Sequence, residues 1–212
     1  ISYFLIYYLS YLCFEDDKDI TMLLKFSFSS ACIIAFIGIL QYAGLNPIPR
    51  DNIRKAWHNT AFSTLGNPNF LGSYLSLIFP ATLTFYISGE YEVQCTEFSA
   101  AKKTVYGILL LAANILLFTA LLVTNTRSAW VGVLLSLLLI SILQLIKILL
   151  KSRNRRNYIN IKPHRFYPQR LAKALCAMAL SLIILNSLSN GYVISRFKSI
   201  IIDYKTITSI NA

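Results

Sequence analysis

Five long apolar blocks divide this chain, and they restrict its fold more than any other feature. The blocks are residues 22–44, 69–88, 104–123, 130–150 and 171–189, and a shorter apolar run covers residues 1–14. A helix of about 20 apolar residues matches the roughly 30 Å hydrocarbon core of a bilayer. Hydrocarbon offers no hydrogen-bond partner to the backbone, so such segments cross as helices. The blocks predict an all-α, polytopic transmembrane helix bundle with five full spans and a partial N-terminal one.

The composition agrees with a membrane protein. Of the 212 residues, 56% are hydrophobic and 14% are charged, whereas about a quarter are charged in soluble domains. In a soluble protein, the net charge of +11 would suggest nucleic-acid binding. Here the excess lies mainly in one loop between apolar blocks, so we expect membrane lipids and no nucleic acid as partners.

We expect residues 1–212 to form a single transmembrane domain that is a fragment of a larger one. The chain opens at Ile1 inside an apolar run, without the basic segment of a signal peptide. The four cysteines show neither a disulfide framework nor metal-ligand spacing. We expect no metal and no cofactor.

Basic residues in the loops predict the orientation of the spans. The cytoplasmic loop 151–170 and its flanks contain nine of the 20 Lys and Arg residues: Lys147, Lys151, Arg153, Arg155, Arg156, Lys162, Arg165, Arg170 and Lys173. Short loops rich in Lys and Arg remain in the cytoplasm. Alternation then places residues 41–68, the turn 124–129 and the tail 190–212 outside. The prediction is a multi-pass protein of the cytoplasmic (inner) membrane whose site faces the outside or periplasm.

Arginines on the predicted outer side run against this charge bias. Arg127 lies in the turn between two spans, where it is either a snorkelling anchor beside an interfacial Trp130 or an anion ligand. In the second interpretation its guanidinium fork binds phosphate oxygens. The backbone N–H groups of the helix that starts near Trp130, and neighbouring Thr and Ser hydroxyls, would complete the site.

Residues 49–65 have the spacing of a short amphipathic helix at the membrane surface. Its apolar face would carry Ile53, Trp57 and Ala61. Arg50, Arg54 and His58 fall on a neighbouring face, which would either attract anionic headgroups or line a cavity for an anionic lipid. His58 is either a polar interfacial residue or a base near neutral pH.

The tail 190–212 contains a stretch, residues 195–204, with an amphipathic pattern. It contains Arg196, and its apolar stripe consists of Phe197, Ile201 and Tyr204. Within the spans, the polar residues Asn114, Gln144 and Asn186 are expected to form interhelical hydrogen bonds.

The stretch 65–72 carries the signals of a helix start. Asn67 is a predicted N-cap and Pro68 a predicted first helical residue. Gly72 would allow another helix to approach closely.

Two stretches resemble the O-antigen ligase and polymerase family. One is Leu-Gly-Asn-Pro-Asn-Phe-Leu-Gly at 65–72, and the other is Thr-Asn-Thr-Arg-Ser-Ala-Trp-Val-Gly at 124–132. The second is similar to that family's T-x-S-R-x-x-W/L-x-G signature, with Thr126 in place of the more usual Ser. The spacing between the two stretches and the basic loop after them also fit the family, and the resemblance covers roughly residues 44–203.

The resemblance implies a membrane glycosyltransferase that takes a glycan from an undecaprenyl-diphosphate carrier. The acceptor would be a hydroxyl of a glycan, a lipid or a protein. Arg127 would contact the diphosphate, with Arg196, Arg50 or Arg54 as further substrate-binding candidates. The family's proposed general base is a histidine in a large outer loop after the span that matches 171–189, and no residue here is assigned that catalytic role. The alternatives are a non-enzymatic lipid-linked-oligosaccharide transporter and an inactive truncated ligase fragment.

Overall fold

The computed structural model describes residues 8, 17–45, 60–89, 99–153 and 167–199, with the backbone alone at 17–21, 100, 144, 145 and 147–153. Every regular element within these ranges is helical. They are α1 (Asp17–Tyr42), the 3₁₀ turn Ser63–Leu65, α2 (Pro68–Ser88), α3 (Ala100–Val123), α4 (Arg127–Arg153) and α5 (Pro168–Leu188). A further helical segment covers 192–199. The all-α prediction is confirmed for these parts of the chain.

Four helices are long and apolar enough to cross a membrane. Their candidate spans are Met22–Tyr42, Pro68–Ser88, Ala101–Val123 and Pro168–Leu188, which overlap four of the predicted spans. Helix α4 has 27 residues, but the apolar part found among the described side chains, Arg127–Leu143, is shorter. The predicted total of five complete spans is therefore supported for four. The partial span at 1–14 lies outside the described residues except for Tyr8.

The outward faces of the helices are apolar. Large side chains that are more than half exposed occur on every helix, including Phe36, Leu77, Leu109, Leu139 and Ile183. Such faces would be costly in water and are favourable in contact with lipid chains. Together with the candidate spans, they indicate a multi-pass membrane protein.

Consecutive helices run in opposite directions, so the bundle has two ends. The junction end is defined by Gln41, Pro68, Val123, Arg127 and Leu188, and the loop end by Ser88, Ala100, Arg153 and Pro168. Helix α3 packs against α1, α2 and α5, whereas α4 packs mainly against α2. Helices α2 and α3 thus form the centre of the bundle.

The predicted start of helix α2 is confirmed. Asn67 Oδ1 accepts a hydrogen bond from Asn69 N at 2.8 Å, and Pro68 is the first helical residue. The proline fits because the first backbone N–H of a helix has no intrahelical acceptor. Helix α2 therefore begins where the Asn67 side chain accepts a hydrogen bond from one free backbone N–H group and Pro68 has no N–H to satisfy.

Helices α2 and α5 are joined at the loop end. The Arg170 guanidinium lies over the Tyr167 ring, 4.3 Å from its centroid, and its Nη1 donates to Tyr86 O at 3.4 Å. Gly89 ends α2 with a φ of +68°, and a Cβ atom there would lie 2.8 Å from the Tyr167 ring. Glycine therefore allows both the left-handed turn and the close approach.

The structure corrects the predicted amphipathic helix at 49–65. Residues 60–62 are not helical, and 63–65 form one 3₁₀ turn, while 49–59 lie outside the described residues. Ala61 is fully buried rather than surface-lying, and its N donates to Val123 O at 2.9 Å. The Ser63 N–H donates to Gln41 Oε1 at 2.7 Å, and Gln41 Nε2 donates to Ser63 O at 3.4 Å. This segment enters the bundle because Gln41 and the end of α3 satisfy its backbone groups.

A buried polar pair joins the two central helices. Thr82 Oγ1 donates to Asn114 Oδ1 at 3.0 Å, and Asn114 Nδ2 donates to Leu110 O at 2.8 Å. Asn114 is thus an interhelical hydrogen-bonding residue, as predicted. Asn186 instead accepts from Ile194 N at 3.1 Å, in the helical segment 192–199 that follows its own helix. The side chain of Gln144 lies outside the description.

Helices α2 and α4 approach each other most closely at Gly72. A Cβ atom at this position would lie 2.9 Å from Ala129 Cβ and would overlap the Thr126 side chain. The prediction that Gly72 permits close helix packing is therefore confirmed. Gly132 differs, because a Cβ atom there would meet only Ser76 Oγ, at 3.9 Å.

We predict that Gly72→Ala lowers the free energy of unfolding by about 1–3 kcal/mol, because the added methyl group forces α2 and α4 apart. Gly132→Ala is the matched control. It should be neutral or stabilising by up to about 1 kcal/mol, because alanine favours the helix and the space is open. Thermal unfolding of the purified protein in detergent would measure both, and equal melting temperatures for the two variants would contradict the prediction.

We also predict that Thr82→Val and Asn114→Leu are coupled. Each replacement alone leaves a buried polar group without its interhelical partner, whereas the double variant removes both. The coupling free energy should be about 0.6 kcal/mol, the average found for such bonds in a membrane protein, and no more than about 1.7 kcal/mol, the largest value found there. A double-mutant cycle of unfolding free energies would measure it, and strict additivity would show that the bond contributes nothing.

Candidate functional site

The candidate site lies at the junction end, where the two family-like stretches meet. Thr126 Oγ1 donates to Pro68 O at 3.3 Å, and Gly72 packs against Thr126 and Ala129. Pro68 and Thr126 are far apart in sequence, yet they are in direct contact. The close approach at Gly72 therefore positions the start of α4 against the start of α2.

Helix α4 begins at Arg127, three residues before the expected start at Trp130. The connection to α3 is correspondingly short and consists of Thr124, Asn125 and Thr126. Asn125 has a φ of +55°, a conformation that asparagine tolerates better than most residues. Trp130 N donates to Thr126 O at 3.3 Å, so Thr126 occupies the N-cap position. Arg127 is then the first helical residue, in the turn where backbone N–H groups lack intrahelical acceptors.

The threonine hydroxyls of this turn form hydrogen bonds within the helix bundle. Thr124 Oγ1 donates to Leu121 O at 2.7 Å, and the single proton of the Thr126 hydroxyl is shared between two acceptors, Thr124 Oγ1 and Pro68 O. Both threonines are buried. The expectation that they complete an anion site is therefore not supported, because these bonds are directed into the protein. Ser128 is the exposed hydroxyl of the first turn of α4.

Trp130 is a core residue and not the interfacial residue considered from the sequence. Its side chain is 3% exposed, and Nε1 donates to Leu121 O at 3.1 Å. The Phe197 ring stacks on it, with centroids 4.1 Å apart and planes 19° from parallel. The indole is thus fixed by a hydrogen bond to α3 and by a ring from the segment after α5.

The chain after α5 turns back onto the junction end. Asn190 and Gly191 have φ values of +51° and +82°, and Gly191 N donates to Asn186 O at 2.8 Å. The following helical segment, 192–199, buries Val193 and packs Phe197 against the core. Part of the predicted tail, 192–199, is therefore helical with Phe197 against the core, while residues 200–212, with Ile201 and Tyr204 of the predicted stripe, lie outside the described residues.

Arg196 lies next to Phe197 and is partly buried. Its Nε is buried and has no hydrogen-bond partner among the described residues. A buried donor without an acceptor is costly and rare in proteins, and it often marks the position of a water molecule or ion. Arg196 thus presents a donor that the described part of the chain leaves unsatisfied.

The structure brings two of the four candidate arginines to one end of the bundle. Arg127 precedes Trp130 by three residues, about one helical turn, and Arg196 is adjacent to the ring that stacks on Trp130. Arg50, Arg54 and His58 lie outside the described residues. The guanidinium groups of Arg127 and Arg196, with the first N–H groups of α4, make this end suited to an anion.

Sequence reasoning missed the Trp130–Phe197 stack and the Gln41–Ser63 contact. A signal for the first existed, because Phe197 was the first apolar residue of the predicted tail stripe. Nothing in the sequence paired that stripe with Trp130, since the pairing depends on the turn at Gly191. Gln41 lies at the boundary between a predicted span and a loop, where polar residues are common and do not indicate a specific contact.

Comparison with known proteins adds no relative: no family model, no curated protein and no solved structure matches the chain.

Proposed function

We propose that this chain is part of a membrane glycosyltransferase of the O-antigen ligase and polymerase type. It would move a glycan from an undecaprenyl-diphosphate carrier to a hydroxyl acceptor on a glycan, a lipid or a protein. The observation that carries the proposal is the contact between the two motif stretches, which puts Arg127 at the first position of α4 beside the start of α2.

The chemistry of this transfer needs a cationic site. The bond between the sugar's anomeric carbon and the phosphate oxygen breaks, and the acceptor oxygen forms a new bond to that carbon. The bonding pair leaves with the diphosphate, so negative charge grows on its oxygens, and the acceptor hydroxyl releases its proton to a base. Preorganised guanidinium groups that bind the growing charge lower the barrier. Arg127 and Arg196 supply such groups, while the base is assigned to no described residue.

We further propose that the junction end faces the outside or periplasm across the cytoplasmic membrane. The support is the cluster of nine Lys and Arg residues at 147–173, whose described flanks, 147–153 and 167–173, lie at the loop end. Basic loops remain cytoplasmic during insertion. In this orientation α4 also crosses the membrane, which brings the number of complete spans to five. The diphosphate of the carrier then lies at the outer headgroup level.

We predict that Arg127→Ala reduces glycan transfer by roughly 100-fold or more, because one preorganised donor to the leaving group is lost. Arg127→Lys should recover only part of the activity, since an ammonium group cannot form a bidentate contact. The assay is the amount of surface polysaccharide in cells whose own gene carries the variant. Lys198→Gln, which removes an exposed cation of the same end, is the control and should leave the polymer unchanged.

Normal polymer in Arg127→Ala cells with equal protein levels would contradict the assignment of Arg127. The transporter alternative is separated by purified protein in vesicles. A glycosyltransferase forms a new glycan–acceptor product from the lipid-linked donor, whereas a transporter moves the donor across the membrane and forms no such product.

The proposed orientation predicts which residues are reached from outside an intact cell. In a chain without its native cysteines, Ser128→Cys at the junction end should react with a membrane-impermeant maleimide. Ser99→Cys, exposed at the loop end, should react only after the cells are permeabilised. The reverse pattern would show that the orientation is inverted.

A further inference from the structure

The helical segment 192–199 is fixed to the junction end by contacts along its length. Asn186 Oδ1 accepts from Ile194 N at 3.1 Å, and Val193 is 2% exposed. Near the far end of the segment, Phe197 packs on Trp130. The segment therefore lies against the bundle and does not extend away from it.

The surface that receives Phe197 is held in place by hydrogen bonds. Trp130 lies in the first turn of α4, and its Nε1–H is bonded to Leu121 O of α3. That end of α3 is in turn bonded to the 60–63 segment, through Ala61 N and Val123 O. The position of the indole, and so of the Phe197 ring, depends on two helices and the segment before α2.

Arg196 is the residue whose position this stack would control. It precedes Phe197 directly, so a displacement of the Phe197 backbone away from Trp130 also moves Arg196. Its buried Nε lacks an acceptor among the described residues. Buried N–H donors are usually paired, so this unsatisfied Nε needs a separate reason.

We propose that the Trp130–Phe197 stack is a positioning contact that holds Arg196 beside the N-terminal end of α4. One diphosphate is then bound from two sides, by Arg127 on α4 and by Arg196 on the segment 192–199. The inference rests on the proposed function, because it takes the diphosphate as the ligand. Phe197 makes no contact with the ligand in this arrangement and acts only through Arg196.

The first test is the affinity of the purified full chain, in lipid nanodiscs, for farnesyl diphosphate. This short probe carries the same diphosphate group as the proposed carrier lipid. Arg196→Gln should weaken binding about tenfold, as expected for a lost charged hydrogen bond. Phe197→Ala should weaken it by a similar factor. Phe197→Trp, which keeps a stacking ring, should stay within about twofold of the wild type.

A double-mutant cycle separates positioning from a general loss of structure. If Phe197 acts through Arg196, then Phe197→Ala should have no further effect on binding in the Arg196→Gln background. Ile194→Ala is the matched control, because this side chain of the same segment is 42% exposed. It should leave the affinity unchanged.

A second measurement follows the segment itself. Tryptic cleavage after Lys198 should accelerate in Phe197→Ala and stay slow in Arg196→Gln, because only the first variant releases the segment. Phe197→Leu keeps an apolar contact and serves if the alanine variant does not fold. It should show intermediate affinity and intermediate cleavage.

Two outcomes overturn the positioning role while the proposed function stands. In the first, Phe197→Ala binds the probe as tightly as the wild type does. In the second, Phe197→Ala lowers the affinity by the same factor in the Arg196→Gln background as in the wild type. A wild-type chain that does not bind farnesyl diphosphate overturns the proposed diphosphate site, and this inference falls with it.

Discussion

Hydrocarbon offers no hydrogen-bond partners, so a chain that enters a membrane must satisfy its buried polar groups from within. The contacts that define this fold follow that constraint. The 60–66 segment is not α-helical, and it is accommodated because Gln41 forms hydrogen bonds with the backbone N–H and C=O of Ser63. The turn between α3 and α4 is accommodated because its threonine hydroxyls bind Leu121 O and Pro68 O. Where the chain leaves the helical pattern, a side chain replaces the missing backbone partner.

Arg196 departs from the same constraint. Its Nε is buried without an acceptor among the described residues. A buried donor of this kind is rare in proteins. It supports an anion as the missing partner, and it does so independently of the motif resemblance.

The helices could be predicted from the sequence because their signals are local. Apolar blocks located all five, and Asn67 and Pro68 fixed the start of α2. The start of α4 was placed three residues late because Arg127 and Ser128 interrupt the apolar pattern while still being helical. The amphipathic pattern of 49–65 failed for residues 60–62, since tertiary hydrogen bonds from Gln41 and Val123 outweigh helical spacing there.

The candidate site was only partly predictable for the same reason. Arg127 could be recognised from its motif, and Gly72 from its small size beside a helix start. The pairing of Trp130 with Phe197 joins residues far apart in sequence, through a turn whose geometry depends on Asn186 and Gly191. Periodicity describes one helix at a time and contains no information on which faces of different helices meet.

The alternating direction of the helices has an electrostatic consequence. Each helix carries roughly half a positive charge at its N-terminus and half a negative charge at its C-terminus. At the junction end, α1, α3 and α5 present their C-termini, while α2 and α4 present their N-termini and pack against each other. The positive potential of the backbone is therefore confined to one pair of helices, with negative helix ends around it. An anion that reaches this end is attracted to the α2–α4 pair and repelled from its surroundings, so the backbone alone already favours the place where Arg127 begins α4.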